Sequence, residues 1–196
     1  MATGKNKYRV LVASAGDKIY EYMESLLPAA DYELLPKVGD AGQARRLLLE
    51  RPADLVIINT PLPDEFGMDL AMDLSEGTCG ILLLVKQEYY DRACYKTEDK
   101  GVFTLVKPNT RQGIYSAVKL LTAVSARLSR MEKKNLSLQE KMADIRIVNR
   151  AKWALITNLN MSETDAHYYI ERLAMDSSIS RREAAERIIR TYDQSL

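Results

Sequence analysis

Residues 52–67 read PADLVIINTPLPDEFG, and this segment decides the fold. Leu55 to Ile58 form an unbroken apolar run, and Asn59 ends that run at the edge of a loop with two prolines, two acidic residues and a glycine. A short apolar run bounded by proline and glycine is typical of a buried strand that runs into a loop. The segment therefore predicts an internal strand whose last residue is Asn59.

Apolar runs and amphipathic stretches alternate on both sides of this segment. Strands are predicted near residues 8–13, 33–36, 54–59, 81–85 and 103–106, and helices near 17–27, 40–50, 66–75 and 88–98. This order is typical of an α/β fold with a doubly wound, parallel, five-stranded sheet, in which ligands bind at the carboxyl ends of the strands. Asp17 is expected to cap the first helix.

The predicted sheet resembles the receiver domain of bacterial response regulators. In that family the residue four positions before the loop proline, here Pro63, is an aspartate that accepts a phosphoryl group. Asn59 stands at that position, and an amide has no anionic oxygen with which to attack phosphorus. The resemblance therefore implies a receiver fold with no phosphoacceptor residue.

Other positions of the expected receiver crevice also depart from the family. Ala13 and Ser14 replace the acidic pair that holds Mg²⁺, and Val85 replaces a serine or threonine, whereas Lys107 is retained. With no phosphoryl group to contact, Lys107 is expected either to pair with a carboxylate or to bond loop carbonyls. No metal and no cofactor is predicted, and a regulatory protein or a small ligand at the receiver-like domain is left as the input. The predicted crevice consists of Ala13, Ser14, Asn59, Val85 and Lys107.

A second pattern starts at Arg111 and continues without a proline to the end of the chain. Apolar residues recur with alternating spacings of four and three over about five heptads, which is typical of a coiled coil. The predicted dimer seam includes Leu121, Leu128, Asn135, Leu138 and Met142. Because a buried asparagine pairs best with itself across a parallel two-stranded seam, Asn135 favours a parallel homodimer. The alternative is a long helix that packs on its own domain.

The last fifty residues predict a small helical module. Ser162 and Ser180 are each followed three residues later by an acidic residue, which is the pattern of a capping box at the start of a helix. With the end of the long helix, these starts predict three helices. The predicted domains are a receiver-like domain over residues 1–120, a coiled-coil linker helix over 121–144 and a small helical domain over 145–196.

Residues 145–190 resemble the ANTAR domain, the RNA-binding module of transcription antitermination regulators. The matching positions are Ala151-Lys152, Ser162-Glu163, Ala166-His167, Ala174-Met175, and Ala184 with Ile188 and Ile189. Trp153 departs from the family, which usually has glycine after the Ala-Lys pair. The resemblance implies a regulator that binds tandem stem-loops in nascent mRNA and prevents terminator formation.

Candidate RNA-binding residues lie on the first two helices of this module. Arg146, Arg150 and Lys152 supply positive charge for phosphates, and Tyr168 and Arg172, one turn apart, are expected to form a platform on which bases stack. His167 lies beside them. No residue is assigned a catalytic role, so the protein is not expected to be an enzyme.

The charge distribution agrees with a polyanion-binding second half. The net charge is +1, but residues 1–111 hold 14 basic against 17 acidic residues, whereas residues 112–196 hold 14 against 10. The chain has no signal-peptide pattern and no apolar run of membrane-spanning length, which predicts a cytoplasmic protein with no membrane partner. Two alternatives remain, a DNA-binding response-regulator-like transcription factor that reads with the basic helix 181–190, and a protein-binding signalling adaptor.

Overall fold

A computed structural model describes residues 7–192 of the chain. These residues divide between Arg130 and Met131 into two compact units. The first unit holds a parallel sheet in the order β2-β1-β3-β4-β5, which confirms the predicted fold class. Its strands are β1 (Tyr8–Ser14), β2 (Tyr32–Leu34), β3 (Leu55–Asn59), β4 (Gly80–Lys86) and β5 (Phe103–Lys107).

Helices cover both faces of this sheet. They are α1 (Lys18–Leu26), α2 (Ala41–Glu50), α3 (Met68–Ser75), α4 (Tyr90–Thr97) and the first turns of α5 (Arg111–Leu159), with short 3-10 turns at Gln87–Tyr89 and Glu98–Lys100. Leu11, Val56 and Leu83 are buried against α2, α3 and α4. Val12, Ile57 and Leu82 are buried against α1 and α5 on the opposite face. The central strands β1, β3 and β4 are mostly apolar, as expected for strands whose two faces are both covered.

Asp17 precedes α1 but does not cap it, contrary to the prediction. Its backbone is already helical, at φ −78° and ψ −29°, and its side chain makes no capping hydrogen bond. A capping residue normally has an extended backbone that turns its side chain back towards the helix start. The Asp17 carboxylate instead forms an ion pair with Lys37.

The start of α5 belongs to the core of the first unit, which corrects the predicted extent of the seam. Leu121 is only 6% exposed and packs with Ile114 and Val118 beneath the sheet. A Cβ atom placed on Gly80 would lie 3.0 Å from the Cβ of Leu121, so helix and strand are in close contact there. Leu121 therefore cannot serve in a dimer seam, because its side chain is already covered within its own chain.

Between Val124 and Met142 the apolar residues at the seam positions of α5 are exposed. Val124, Leu128, Met131, Leu138 and Met142 are each between 43% and 57% exposed. Although α5 is 49 residues long, neither it nor any other helix within residues 7–192 is apolar enough over a sufficient length to cross a membrane. Along this stretch α5 carries an apolar stripe that residues 7–192 leave largely uncovered.

The second unit consists of the end of α5 with α6 (Glu163–Asp176) and α7 (Arg181–Tyr192). Small residues dominate its core and allow the helices to approach closely. The buried residues are Ala151, Leu155, Ala166, Ile170, Ala174, Ala184, Ala185 and Ile188. This arrangement confirms the predicted three-helix module.

Serine caps begin both α6 and α7, as predicted. Ser180 and Glu183 bond reciprocally, because Glu183 N–H donates to Ser180 Oγ at 3.2 Å and Ser180 N–H donates to Glu183 Oε2 at 2.8 Å. At α6 the Ser162 hydroxyl accepts from Asp165 N–H at 3.1 Å and donates to the Asp165 carboxylate at 2.7 Å. The shorter aspartate thus bonds only the serine hydroxyl, whereas Glu183 accepts from both the hydroxyl and the backbone N–H of Ser180.

Candidate nucleic-acid interface and receiver-like crevice

The carboxyl ends of β1, β3 and β5 bring Ser14, Asn59 and Lys107 together. Ser14 and Asn59 are paired in the strand register, and Asn59 Nδ2 donates to Ser14 Oγ at 3.0 Å. Lys107 Nζ donates to Asn59 Oδ1 at 2.7 Å and to the Thr60 carbonyl at 2.5 Å. Of the two roles predicted for Lys107, the structure shows carbonyl bonding. Both ends of the Asn59 amide are therefore engaged by neighbouring side chains.

The ammonium group of Lys107 faces neutral oxygens. Burial lowers the pKa of Lys107, and the positive charge of Lys86 lowers it further. The groups that hold the lysine are amide and carbonyl dipoles, which stabilise a charge less than a carboxylate does. The crevice thus holds a positive charge without a neutralising anion among its bonded partners.

Ala13 and Val85 do not line this crevice, which corrects their predicted place in it. Both side chains are fully buried in the core layer formed with α2, α3 and α4. Successive side chains of a strand point to opposite faces, so Ala13 and Ser14 are directed differently. Of the five predicted residues, the hydrogen-bonded group comprises Ser14, Asn59 and Lys107.

The sequence analysis did not predict that Asp64, in the loop after β3, binds the start of α2. Its two carboxylate oxygens accept hydrogen bonds of 3.0 Å each from the backbone N–H groups of Ala41 and Gly42 at the start of α2. These bonds lower the pKa of Asp64. No local sequence signal identifies this role, because the partners lie more than twenty residues away. Within residues 7–192, no cluster of three or more His, Cys, Asp or Glu side chains is arranged to hold a metal ion.

The predicted basic residues of the second unit have different surroundings. Arg146 and Arg150 are exposed on the outer side of α5. The side chain of Lys152 is only 18% exposed, and its ammonium group donates to Glu163 Oε1 at 2.9 Å. This bond also lowers the pKa of Glu163. Lys152 therefore links α5 to the start of α6 and is not the solvent-facing charge that its sequence position suggested.

Tyr168 and Arg172 lie on the outer face of α6, as the helical spacing predicted. Tyr168 is 64% exposed, and both residues line a shallow groove of about 450 Å³. The groove also contains Asp165 and Glu171, so its charge is mixed. His167 lies edge-on to Tyr168, with ring centroids 6.1 Å apart, and its Nε2 lies 3.4 Å from Glu171 Oε1.

A second groove, of about 490 Å³, brings Lys152 and His167 next to the start of α7. Arg181 and Arg182 also line it, although the sequence analysis did not assign them to the RNA surface. Arg182 is held by Asp144 at 2.8 Å and by Glu186 at 3.0 Å. The basic residues at the start of α7 were the sequence signal for this groove. Only the packing of the three helices, however, places them beside Lys152.

Comparison with known proteins defines the second unit. Residues 136–189 match the family model of the ANTAR domain. This segment is similar to an ANTAR domain. It begins within α5, includes α6 and ends within α7. The match agrees with the resemblance drawn from residues 145–190 and extends further towards the amino terminus.

A relative aligns with most of the chain, and solved structures are similar to its receiver-like first unit. The chain is 27% identical over 184 residues to the transcriptional regulatory protein PdtaR of Mycobacterium tuberculosis, an alignment that covers 93% of this chain and 90% of the relative. A signal receiver domain of an HD domain-containing protein from Pseudomonas fluorescens is 24% identical, with a TM-score of 0.59, and the match covers 66% of this chain and 97% of that domain. A putative response regulator from Chloroflexus aurantiacus gives a TM-score of 0.53 at 24% identity, over 60% of this chain and 99% of that one.

Proposed function

We propose that the protein is an RNA-binding transcription antitermination regulator that acts as a coiled-coil dimer. The ANTAR match over residues 136–189 carries this proposal. An alignment with a transcriptional regulatory protein, which covers 93% of the chain, supports it. The RNA would be tandem stem-loops in nascent mRNA, and binding would prevent terminator formation. This role requires no catalysis, so the protein would not be an enzyme, and binding to nascent mRNA would place it in the cytoplasm.

The exposed stripe of α5 supports the dimer. Within the described residues, Leu128, Leu138 and Met142 are each at least 43% exposed along this stretch of α5. A second parallel copy would cover them, and Asn135 would pair with its counterpart and fix the register. The seam begins after Leu121.

The division into residues 1–120, 121–144 and 145–196 stays a prediction, and the outer ends of the first and last segments lie outside the described residues.

The crevice chemistry supports a receiver-like unit that is not phosphorylated. Asn59 has no anionic oxygen, and its amide oxygen already accepts from Lys107. Ser14, the last residue of β1, bonds Asn59 and supplies no carboxylate for Mg²⁺. The input would then be a regulatory protein or a small ligand that binds the receiver-like unit.

The RNA surface combines charge from α5 with an aromatic platform from α6. Arg146 and Arg150 would contact phosphates, while Tyr168 and Arg172 would stack on loop bases. Lys152 and His167 already contact Glu163 and Glu171, respectively. They are therefore proposed to act mainly by positioning the helices beside the RNA.

A direct binding comparison tests this function. The full chain would be titrated with an RNA of two stem-loops, with one stem-loop, and with duplex DNA of the same sequence, all at the same salt concentration. We expect the tandem RNA to bind much more tightly than the single one, because the second contact within a dimer is effectively intramolecular. Preference for duplex DNA would favour a DNA-binding transcription factor, and no nucleic-acid binding would favour a protein-binding adaptor.

A further inference from the structure

Trp153 is exposed on the outer side of α5, within the ANTAR domain. It is the only tryptophan of the chain, and 68% of its surface is accessible. Ala151 and Leu155, two residues away on either side, are completely buried in the helical core. Tryptophan is on average a highly buried residue, so an indole with most of its surface accessible is a candidate for contact with a partner. The ANTAR family usually has glycine at this position, so Trp153 is a departure of this chain from the family pattern.

The stretch of chain on either side of Trp153 is basic. Between Asp144 and Glu163 the chain has three basic residues, Arg146, Arg150 and Lys152, and no acidic residue. Arg146 precedes Trp153 by two helical turns and Arg150 by one, so both lie on the same side of α5 as the indole. Both arginines are exposed. An aromatic plate beside a row of guanidinium groups suits a ligand that combines flat bases with phosphates.

We propose that Trp153 stacks on an unpaired base of an RNA loop while Arg146 and Arg150 contact the adjacent phosphates. The proposal rests on the function proposed above, and it adds a base-contacting residue that the α6 platform does not include. Proteins that recognise RNA by sequence bind mainly unpaired bases, which they stack on aromatic side chains. The indole has the largest aromatic face that a side chain offers, and its position next to the arginines lets one loop contact both.

The other occupant for an exposed indole is the second copy of the chain, and the helix pattern argues against it. Continuing the spacing of the seam past Asn149 leads to Lys152, whose ammonium group is bonded to Glu163 of its own ANTAR domain. In a parallel pair, Lys141 of one copy would also face Arg146 of the other with like charge. Because of these two features, a favourable dimer seam ends before Trp153.

Intrinsic fluorescence tests the proposal directly, because Trp153 is the sole tryptophan. Hairpin RNAs with one fixed stem and randomised loops would first be selected on the full-length parent protein. The selected hairpin should quench Trp153 fluorescence, whereas a blunt duplex of the same stem should leave it unchanged. Trp153→Ala should weaken hairpin binding about 5- to 150-fold, which is the usual range for loss of one stacked base. Trp153→Phe should retain most of the affinity.

Tyr95→Ala is the matched control, since it removes an aromatic side chain that is 88% exposed in the other unit. It should bind the hairpin like the parent, and sedimentation should give the same mass for all variants. Failure to select any RNA would overturn the proposed function together with this inference. Hairpin binding without quenching, and with full affinity in Trp153→Ala, would overturn only the stacking role. Dissociation of Trp153→Ala into monomers would assign the indole to the dimer instead.

Discussion

Lys107 donates a hydrogen bond of 2.7 Å to the side-chain oxygen of Asn59. Asn59 ends β3 and Lys107 ends β5, the two strands that flank β4 in the sheet. The bond occupies the amide oxygen at the position where receivers carry their acceptor. The same lysine also bonds the Thr60 carbonyl, and the amide nitrogen of Asn59 bonds Ser14. The crevice therefore satisfies its polar groups from within the chain.

The first prediction follows from this network. Incubation of the protein with acetyl phosphate and Mg²⁺ should leave its mass and its RNA affinity unchanged, because Asn59 lacks a nucleophilic oxygen and Ser14 supplies no metal ligand. Intact-mass spectrometry of the folded protein checks this. Asn59→Asp is the informative companion, because it restores only the acceptor carboxylate. A labile phosphoryl adduct on the parent protein would contradict the prediction.

The second prediction concerns the seam. Leu128→Asp should dissociate the dimer, because it would place a charge in a dry interface that offers it no partner. Asn135→Leu should strengthen association but allow more than one oligomeric state. Leu136→Asp is the matched control, because Leu136 is similarly exposed, at 54%, but lies beside the seam positions. Sedimentation of the parent and the three variants measures their oligomeric states. A monomeric parent at micromolar concentration would refute the dimer.

The third prediction concerns the RNA surface. Arg146→Ala and Arg150→Ala should each weaken binding to all RNAs alike and make the slope of log affinity against log salt shallower by roughly 0.7 to 0.9. Tyr168→Ala and Arg172→Ala should each cost about 1–3 kcal/mol of binding free energy through loss of a stacking surface. Fluorescence anisotropy with a labelled tandem hairpin, repeated at several salt concentrations, measures both effects.

Controls for the RNA prediction come from within the chain. Arg92→Ala removes an exposed arginine of the receiver-like unit and should change neither affinity nor salt slope. Lys152→Ala should change the salt slope less than Arg146→Ala, because Lys152 is bonded to Glu163. If the Arg146, Arg150, Tyr168 and Arg172 variants bind like the parent while changes on α7 abolish binding, the RNA face proposed here is wrong.

The fourth prediction concerns the start of α7. Ser180→Ala should lower the free energy of unfolding of the ANTAR domain by about 0.5–2 kcal/mol, because it removes the side-chain cap that Ser180 provides to the Glu183 N–H. Chemical denaturation followed by circular dichroism measures the loss. Ser177→Ala, an exposed serine at the end of α6, should have little effect.

The capping box also gives a pH dependence of known sign. Hydrogen bonds from Ser180 lower the pKa of Glu183 below its ordinary value of 4.5. The carboxylate therefore stabilises the fold above pH 4.5, and this contribution is lost as pH falls through the lowered pKa. Glu183→Gln should be less stable than the parent near neutral pH, and the difference should shrink in acid. A difference that grows in acid would contradict the assignment.

The sequence by itself determined the parts of this protein that local patterns control. Strand β3 and its neighbours followed from apolar runs, α7 followed from its capping box, and the missing acceptor followed from one residue, Asn59. These features depend on backbone propensity, on side-chain periodicity and on the chemistry of a single group. Neighbours that are distant in sequence change none of them.

Only the tertiary structure decided which side chains are free to act. Leu121 has the spacing of a seam residue, yet packing against β4 buries it within its own chain. Lys152 has the spacing of a surface base, yet the approach of α6 gives it Glu163 as a partner. Heptad spacing and charge are properties of one helix, whereas burial and ion pairing depend on which second element packs against it. Exposure therefore had to come from the fold, which leaves Trp153 accessible on α5 while Ala151 and Leu155 beside it are buried.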